Sequence, residues 1–475
     1  MALFFKGQSQ EKDLPSDFLT SDFHKERRQL LRETLPENSV AVFFANPVRN
    51  RANDVDYVYH QDPDFYYLTG YREPHAVLLI FKDTQKTSTG EKYNEIIFVQ
   101  PRNVTEEMWN GRRLGDEGVR SILNIQHAFD NTEFVHYDLD FSKFSKVLFF
   151  DFQGDVRDTD NPSDLFDLME QFKTKTGYPR SEEQMIEVEP GPQNLDTEML
   201  QVYMASLRQI KTKEELTLLK KAIDISAIGQ IEVMKAMKPG MSEREIQGIH
   251  EFVFKKYGAE YEGYPSIVGA GHNGCILHYV ENYKPEVNNK ELILMDLGAE
   301  YHGYTADVTR TIPVSGKFSK EQKQIYDLVY EAQEAAIKVV KPGASFYTVS
   351  AIARKVVNEG LAELGIIKEP SQPNMYYPHG CCHHIGLDVH DKGFYDVLEE
   401  HMAITVEPGI YIPEGSDCDE KWWGIAVRIE DDILVTKDGH EIMSEKAPRK
   451  SDDIEKLMKQ PSALDAFILP ELEEK

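Results

Sequence analysis

A repeated pentapeptide constrains this chain more than any other feature. Lys238-Pro-Gly-Met-Ser242 and Lys341-Pro-Gly-Ala-Ser345 lie 103 residues apart. Each follows a helical pattern and precedes another, with Pro-Gly between them as a helix terminator. Each copy then runs into a strand-rich stretch that carries histidines and acids. The arrangement predicts a duplicated α/β half. Three helix starts nearby share one local logic. Thr212-Lys-Glu-Glu215, Ser242-Glu-Arg-Glu245 and Ser319-Lys-Glu-Gln322 each fit a capping box, in which the hydroxyl and the later Glu or Gln satisfy opposing orphan amides.

Ahead of the repeat the pattern changes. Ala41 to Ala45, Ala76 to Phe81, Glu95 to Gln100 and Lys146 to Phe152 are apolar runs that read as strands of a buried sheet, separated by helical stretches. The run from Thr176 to Asp196 is rich in Pro, Gly and acids and has no clear period, which suits a connection. For 475 residues the expectation is therefore two domains, an α/β domain over 1–200 and the duplicated unit over 201–475, the latter ending in an acidic tail from Asp452 to Lys475.

Composition narrows the function classes. With 53 Lys plus Arg against 81 Asp plus Glu, the net charge of −28 repels phosphate backbones and anionic lipid, so neither nucleic acid nor a membrane surface is an expected partner. Only four apolar residues follow Met1, short of a secretory h-region, and no stretch approaches about 18 uncharged apolar residues. Cys275, Cys381, Cys382 and Cys418 are too sparse for a disulfide framework. A cytoplasmic protein with free thiols is expected.

The candidate chemistry collects after the first repeat copy. In the stretch from Glu291 to Val314, an antiparallel hairpin centred between Tyr301 and His302 sets Asp296 directly opposite Asp307. Like charges facing in a ladder are destabilising, and burial adds a desolvation penalty unless a cation compensates. A divalent metal turns that liability into a site; two solvated edge acids are the alternative. His379, His383, His384 and His390 follow the second copy, and imidazole is the commonest neutral metal ligand. Glu407 and Glu430 then sit inside apolar, β-branched runs where an unpaired carboxylate is out of place.

The succession Asp296, Asp307, His383, Glu407, Glu430, embedded in MDLGAEYHGYTADVTRT, HGCCHHIGLDVHD, TVEPGIY and VRIEDD, resembles the five metal ligands of the pita-bread metallopeptidases. It is most similar to the Xaa-Pro aminopeptidases, or aminopeptidase P. YHQDPDFYYLTGYREPHAVLLI and TEEMWNGRRLG resemble that family's N-terminal domain. The resemblance implies an α/β N-terminal domain followed by a pseudo-twofold catalytic domain, and release of the first residue from peptides with proline second. It also implies two divalent ions, usually Mn2+, bridged by Asp307 and Glu430. Asp296 completes one shell; His383 and Glu407 complete the other. A hydroxide between the ions is the implied nucleophile.

Further roles follow from matching motif positions. Glu407 doubles as proton shuttle, His278 and His390 support the reacting carbonyl, His379 lines the proline pocket and Arg428 buttresses the site. Trp109 closes the pocket of a neighbouring subunit in family members that form tetramers, so a homo-oligomer, dimer or tetramer, is implied; a buried core tryptophan is the alternative. Cys381, Cys382 and His384 depart from the family pattern beside the ligand histidine. Two rivals share the fold: a prolidase confined to dipeptides, and a metal-free binding module.

Overall fold

Val40 to Phe43 and Val77 to Phe81 are apolar at every position, and all are buried, as in strands covered on both faces. They lie in the middle of a six-stranded sheet. In spatial order its strands are Ala128–Asp130, Lys92–Val99, Val77–Lys86, Ser39–Phe44, Lys146–Leu148 and Leu195–Asp196. The two pairings among Lys92–Val99, Val77–Lys86 and Ser39–Phe44 are antiparallel and the three outer pairings parallel. The computed structural model describes residues 15–152, 154–178 and 193–470, so most of the connection expected between Thr176 and Asp196 lies outside the described residues. The sheet packs an aromatic core of Phe98, Phe134, Phe141, Phe149 and Phe172. The helix Ser21–Thr34 is tied to it by Arg28, which is fully buried and donates to both carboxylate oxygens of Glu95, at 2.9 and 3.0 Å, and to Leu68 O at 2.8 Å.

The chain divides into two compact units between Leu207 and Arg208. In the second unit the repeat is visible as structure. Helices Lys213–Ala236 and Glu243–Lys256 flank the first pentapeptide, and helices Lys320–Ile337 and Phe346–Glu363 flank the second. Gly240 and Gly343 take φ of +92° and +87°, which glycine alone adopts without a steric penalty. Their amides donate to equivalent downstream carbonyls, Val287 O and Leu398 O, both at 2.9 Å. Ser242 and Ser345 then cap the following helices. Thr212 and Ser319 form full capping boxes. Ser242 does not: it accepts from Glu245 N at 3.0 Å, but the reciprocal bond is absent and the buried carboxylate here is Glu243, which takes Ala270 N, Lys284 N and Tyr279 OH.

Each helix pair is followed by antiparallel strands. The first half has the sheet Ile267–Ala270, Leu292–Asp296, Thr309–Pro313; the second has Ala403–Val406, Asp431–Thr436, Gly439–Ile442, with Gly409–Ile412 paired to Ile425–Arg428. The expected register of the first hairpin is corrected here. Asp296 pairs with Thr309, and Tyr301 with Tyr304, so the centre lies between His302 and Gly303. Both central residues have positive φ, +51° and +89°, the requirement of a type I′ turn, which matches strand twist. Glu260 holds the strained histidine, accepting its amide at 2.8 Å and facing its Nδ1 at 2.6 Å. The shift is two residues, and an even shift leaves every side chain on its original face. Asp296 and Asp307 therefore still converge. Gly298 permits the close return of the chain, since a Cβ there would lie 1.7 Å from Ala306 O.

His250, in the helix Glu243–Lys256, is fully buried beside Gly229 and Phe254, with no hydrogen bond to either ring nitrogen among the described residues. Burial pushes its pKa down from 6.5 to about 3. The unfolded chain therefore takes up this proton first, and stability is withdrawn as pH falls from about 6.5 towards about 3. His250→Leu is expected to raise the melting temperature at pH 7, by relieving an unsatisfied polar burial worth about 1–3 kcal/mol, and to flatten the acid limb. Melting curves between pH 4 and 7 check this; an acid limb as steep as in the parent would refute it.

Candidate active site

The two halves deliver their acids where their strands stop. Asp296 is the last residue of its strand, while Asp307, Glu407 and Glu430 fall in breaks between strands, at 306–308, 407–408 and 429–430. His383 is pinned beside the strand Ala403–Val406: Thr405 N donates to its carbonyl at 2.9 Å and its own amide donates to Thr405 Oγ1 at 3.2 Å. Its Nδ1 faces His384 O at 2.9 Å, leaving Nε2 to point at the acids, 3.5 Å from Asp307 Oδ2 and 3.8 Å from Glu407 Oε1. Asp307, His383 and Glu430 each offer an atom within 4.8 Å of the others. Tyr264 OH sits 2.6 Å from both Asp296 Oδ1 and Asp307 Oδ1. A hydroxyl has one proton to donate, so without a cation one of these carboxyls must itself carry a proton to make the second contact.

The electrostatics match. Burial, followed by the neighbouring acids, drives Glu430 far above the usual carboxylate range. Burial raises Asp296 against the pull of Arg428, and raises Glu407 to about 7 against His383 and Arg428. Burial pushes Asp307 the same way, but the hydrogen bonds and charge of His383 and Tyr264 hold it below its ordinary value. Burial should lower His383, yet Asp307 and Glu407 raise it to about 9, the response of an imidazole held among acids with too few other cations. Glu430 Oε2 accepts from Thr309 Oγ1 at 2.6 Å, while Oε1 is buried without a hydrogen-bond partner among the described residues. An orphaned carboxylate oxygen amid three other acids and one imidazole fits a divalent cation, and the absence of a thiolate from the set favours a hard one.

Arg428, buried, donates through Nη2 to Asp296 Oδ2 and through Nη1 to Tyr411 OH at 2.8 Å. Tyr411 OH in turn reaches His379 Nε2 at 2.8 Å, while His379 Nδ1 faces Gly380 O at 2.7 Å and lies 3.6 Å from Glu407 Oε2. Burial and then the charge of Arg428 push His379 down to about 4; it is a neutral ring. His390 is exposed, with its ring centroid 4.4 Å from that of His383, and His278, also exposed, is near enough to help lower its pKa. His384 points elsewhere, its Nε2 3.1 Å from Phe394 O between Phe346 and Tyr395. Cys381 and Cys382 are free thiols. Trp109, in the helix Val104–Asn110 of the first unit, is 81% exposed, which excludes the buried core alternative.

Several residues escaped the sequence reading. Tyr264 and Tyr411 look like ordinary aromatics, and nothing in their neighbourhoods marks a polar role. Asp432 had a visible signal: it follows two other acids yet is fully buried, and its Oδ2 accepts Asp307 N at 3.1 Å. Asp431 is likewise buried against Arg310.

Residues 217–437 match the model of metallopeptidase family M24, and residues 24–145 match the aminopeptidase P N-terminal domain. The chain is 35% identical to the Xaa-Pro aminopeptidase of Escherichia coli (strain K12) and 37% identical to that of Haemophilus influenzae, in each case over 93% of this chain and 98% of the relative. Among solved structures, aminopeptidase P from E. coli with the inhibitor Pro-Leu matches with a TM-score of 0.80 at 32% identity, over 93% of this chain and 98% of that one.

Cations that neutralise the cluster should stabilise the fold by mass action, about 4 kcal/mol at a thousandfold excess over the dissociation constant. Saturating Mn2+ is expected to raise the melting temperature of chelator-treated protein by roughly 5–10 °C. Glu430→Gln, which keeps an acceptor for Thr309 but removes a carboxylate that burial and the neighbouring acids disfavour, should melt higher than the parent in chelator and gain little from the ion. Equal melting of the parent with and without metal would sink the assignment.

Proposed function

The chain belongs to the Xaa-Pro aminopeptidases of metallopeptidase family M24, and from that premise we propose that it is a metal-dependent exopeptidase releasing the first residue from peptides whose second residue is proline. The observation that carries this reading is the convergence of three buried carboxylates, Asp296, Asp307 and Glu430, with half-buried Glu407 and with His383, and too few internal cations to neutralise them. Asp296, Asp307, His383, Glu407 and Glu430 would hold two divalent ions. When bound, such ions supply Lewis acidity towards the scissile carbonyl and a water of lowered pKa. Oxygen donors with one imidazole favour Mn2+.

The chain's own residues account for the rest. An Xaa-Pro bond has no N–H and a fixed ring, so the leaving nitrogen must gain a proton as the C–N bond breaks. Glu407, with its Oε2 3.6 Å from His379 Nδ1, takes a proton from the attacking water and returns it to that nitrogen. Neutral His379, held by Gly380 O and the Arg428–Tyr411 relay, lines the proline pocket as a fixed wall. His278 and His390, both exposed near the ligand histidine, face incoming substrate and stabilise the carbonyl oxygen. Arg428 orients Asp296 by donating to its Oδ2. Exposed Trp109 supports an oligomer, dimer or tetramer, in which it closes a neighbouring subunit's pocket. The four free cysteines support a reducing, cytoplasmic location; among the described residues no helix is long and apolar enough to cross a membrane.

The prolidase alternative is not favoured, since the matched relatives, aligned nearly end to end, are Xaa-Pro aminopeptidases. The metal-free binding module is disfavoured by the intact cluster. With Mn2+ bound, an Xaa-Pro-Xaa tripeptide is expected to yield its free first residue, while an Xaa-Ala-Xaa tripeptide is left intact. Asp307→Ala and Glu430→Ala should each lower kcat/KM by about 10^3-fold or more. Cleavage of Xaa-Pro dipeptides alone would turn the assignment to a prolidase, and no release with Mn2+, Co2+, Zn2+ or Fe2+ would overturn it.

A further inference from the structure

Two buried glutamines occupy equivalent positions in the two halves. Gln230 lies in the helix Lys213–Ala236 and Gln333 in the helix Lys320–Ile337. They are 103 residues apart, the spacing of the repeated pentapeptides, and neither has measurable exposure. Gln230 Nε2 donates to Met295 O at 3.1 Å and to Val308 O at 2.7 Å. Gln333 Nε2 donates to Val406 O at 3.0 Å and to Ile429 O at 3.2 Å. The four accepting residues are the chain neighbours of the four acids: Met295 precedes Asp296, Val308 follows Asp307, Val406 precedes Glu407 and Ile429 precedes Glu430.

The coincidence has a physical basis. The acids sit where the strands stop, and a stopped ladder leaves carbonyls without their usual partners; buried carbonyls need donors. A primary amide offers two N–H groups on one nitrogen, so one side chain can tie two strands together at that gap. A hydroxyl could tie only one. The tie fixes the separation of two backbones, and hence of the carboxylates that leave them one residue away. Gln230 Oε1 has no hydrogen-bond partner among the described residues, so its donor side is what the fold employs. Gln333 is bound more fully: its two N–H groups are shared among three acceptors, the third being Asp431 Oδ2 at 2.8 Å, and its Oε1 accepts from Arg449 Nη1 at 3.0 Å.

We propose that Gln230 and Gln333 are twin positioning residues, one per half, each clamping the two strands that carry one pair of metal-binding carboxylates and so setting the geometry of the dinuclear centre. The inference rests on the metallopeptidase reading above. Gln230 is the cleaner test, because its replacement removes little besides the clamp. Gln230→Met keeps length and helix preference but has no donor; Gln230→Asn keeps the amide on a stem too short to span both carbonyls. Chelator-stripped wild type and variants are titrated with Mn2+ against a fluorescent chelator, with melting curves and tripeptide kinetics in parallel. Binding is expected to weaken about 10–100-fold in Gln230→Met and by less in Gln230→Asn, with kcat falling and KM held. The Asn variant carries the test if the Met variant does not fold. Wild-type Mn2+ affinity and kcat in the folded variants, even with lowered melting temperatures, would overturn the clamp alone. Failure of the wild type to bind Mn2+ would overturn the dinuclear reading and the clamp with it.

Discussion

Three buried carboxylates and a fourth half-buried, all within one another's reach, are the constraint around which the second unit is organised. Their mutual repulsion, in a setting where water cannot screen it, is too large for the few internal cations to cancel. Arg428 is committed to Asp296 and Tyr411, and His383 serves Asp307 and Glu407. Arg310, the other deeply buried cation nearby, is spent on Asp431 and on backbone carbonyls. Removing either partner of such a buried pair leaves an uncompensated charge, so neither arginine is free for another duty. What remains is a deficit of positive charge, located at the orphaned oxygen of Glu430, and a divalent ion is the group whose charge and size meet it.

The duplicated architecture explains how a fold tolerates this. Neither half alone assembles the cluster: Asp296 and Asp307 come from the first, and His383, Glu407 and Glu430 from the second. Cross-links join them. Thr309 of the first half holds Glu430 by its hydroxyl and accepts the Glu430 amide with its carbonyl. Asp432 of the second half holds the Asp307 amide, and Thr311 Oγ1 donates to Arg428 O at 3.0 Å. The repulsive groups are thus carried on backbones fixed by neutral hydrogen bonds, so the strain of assembling them is borne by the whole unit and not by four loops. Rigid support of this kind is what a reaction centre requires, since preorganised groups need not rearrange when charge develops.

How far the sequence revealed this depends on the range of the interaction. The pentapeptides were legible because helix ends are local: Pro-Gly and the following serine act within one turn. Thr212 and Ser319 were legible for the same reason. Ser242 was read too fully, because the reciprocal arm of its capping box depends on where Glu245 points, whereas Glu243 was drawn inward by partners 27 to 41 residues away. The hairpin shows both sides. That Asp296 and Asp307 share a face follows from strand parity, and survives any even error in register. Which residues face each other depends on the turn, and that was decided by His302 accepting a left-handed conformation under the grip of Glu260. Tyr264, Gln230 and Gln333 left no trace, because a buried polar side chain in an apolar segment reads like any other until its acceptor is known, and their acceptors are 32 to 98 residues distant.

The same reasoning bears on why such a centre suits proline. A peptidase that gripped the scissile amide through its N–H would have nothing to hold at an Xaa-Pro bond, so recognition has to come from shape and from the carbonyl. His379 is kept neutral by burial and by Arg428, which makes its ring an uncharged wall instead of a mobile cation. Its orientation is fixed at both nitrogens, by Gly380 O on one side and by Tyr411 on the other. Arg428 anchors both that wall, through Tyr411, and the carboxylate of Asp296, so the ring proposed to meet the substrate proline and the group proposed to hold the metal are positioned by one guanidinium. Under the proposed roles, specificity and catalysis are coupled through a single buried charge, and a change that loosens one loosens the other.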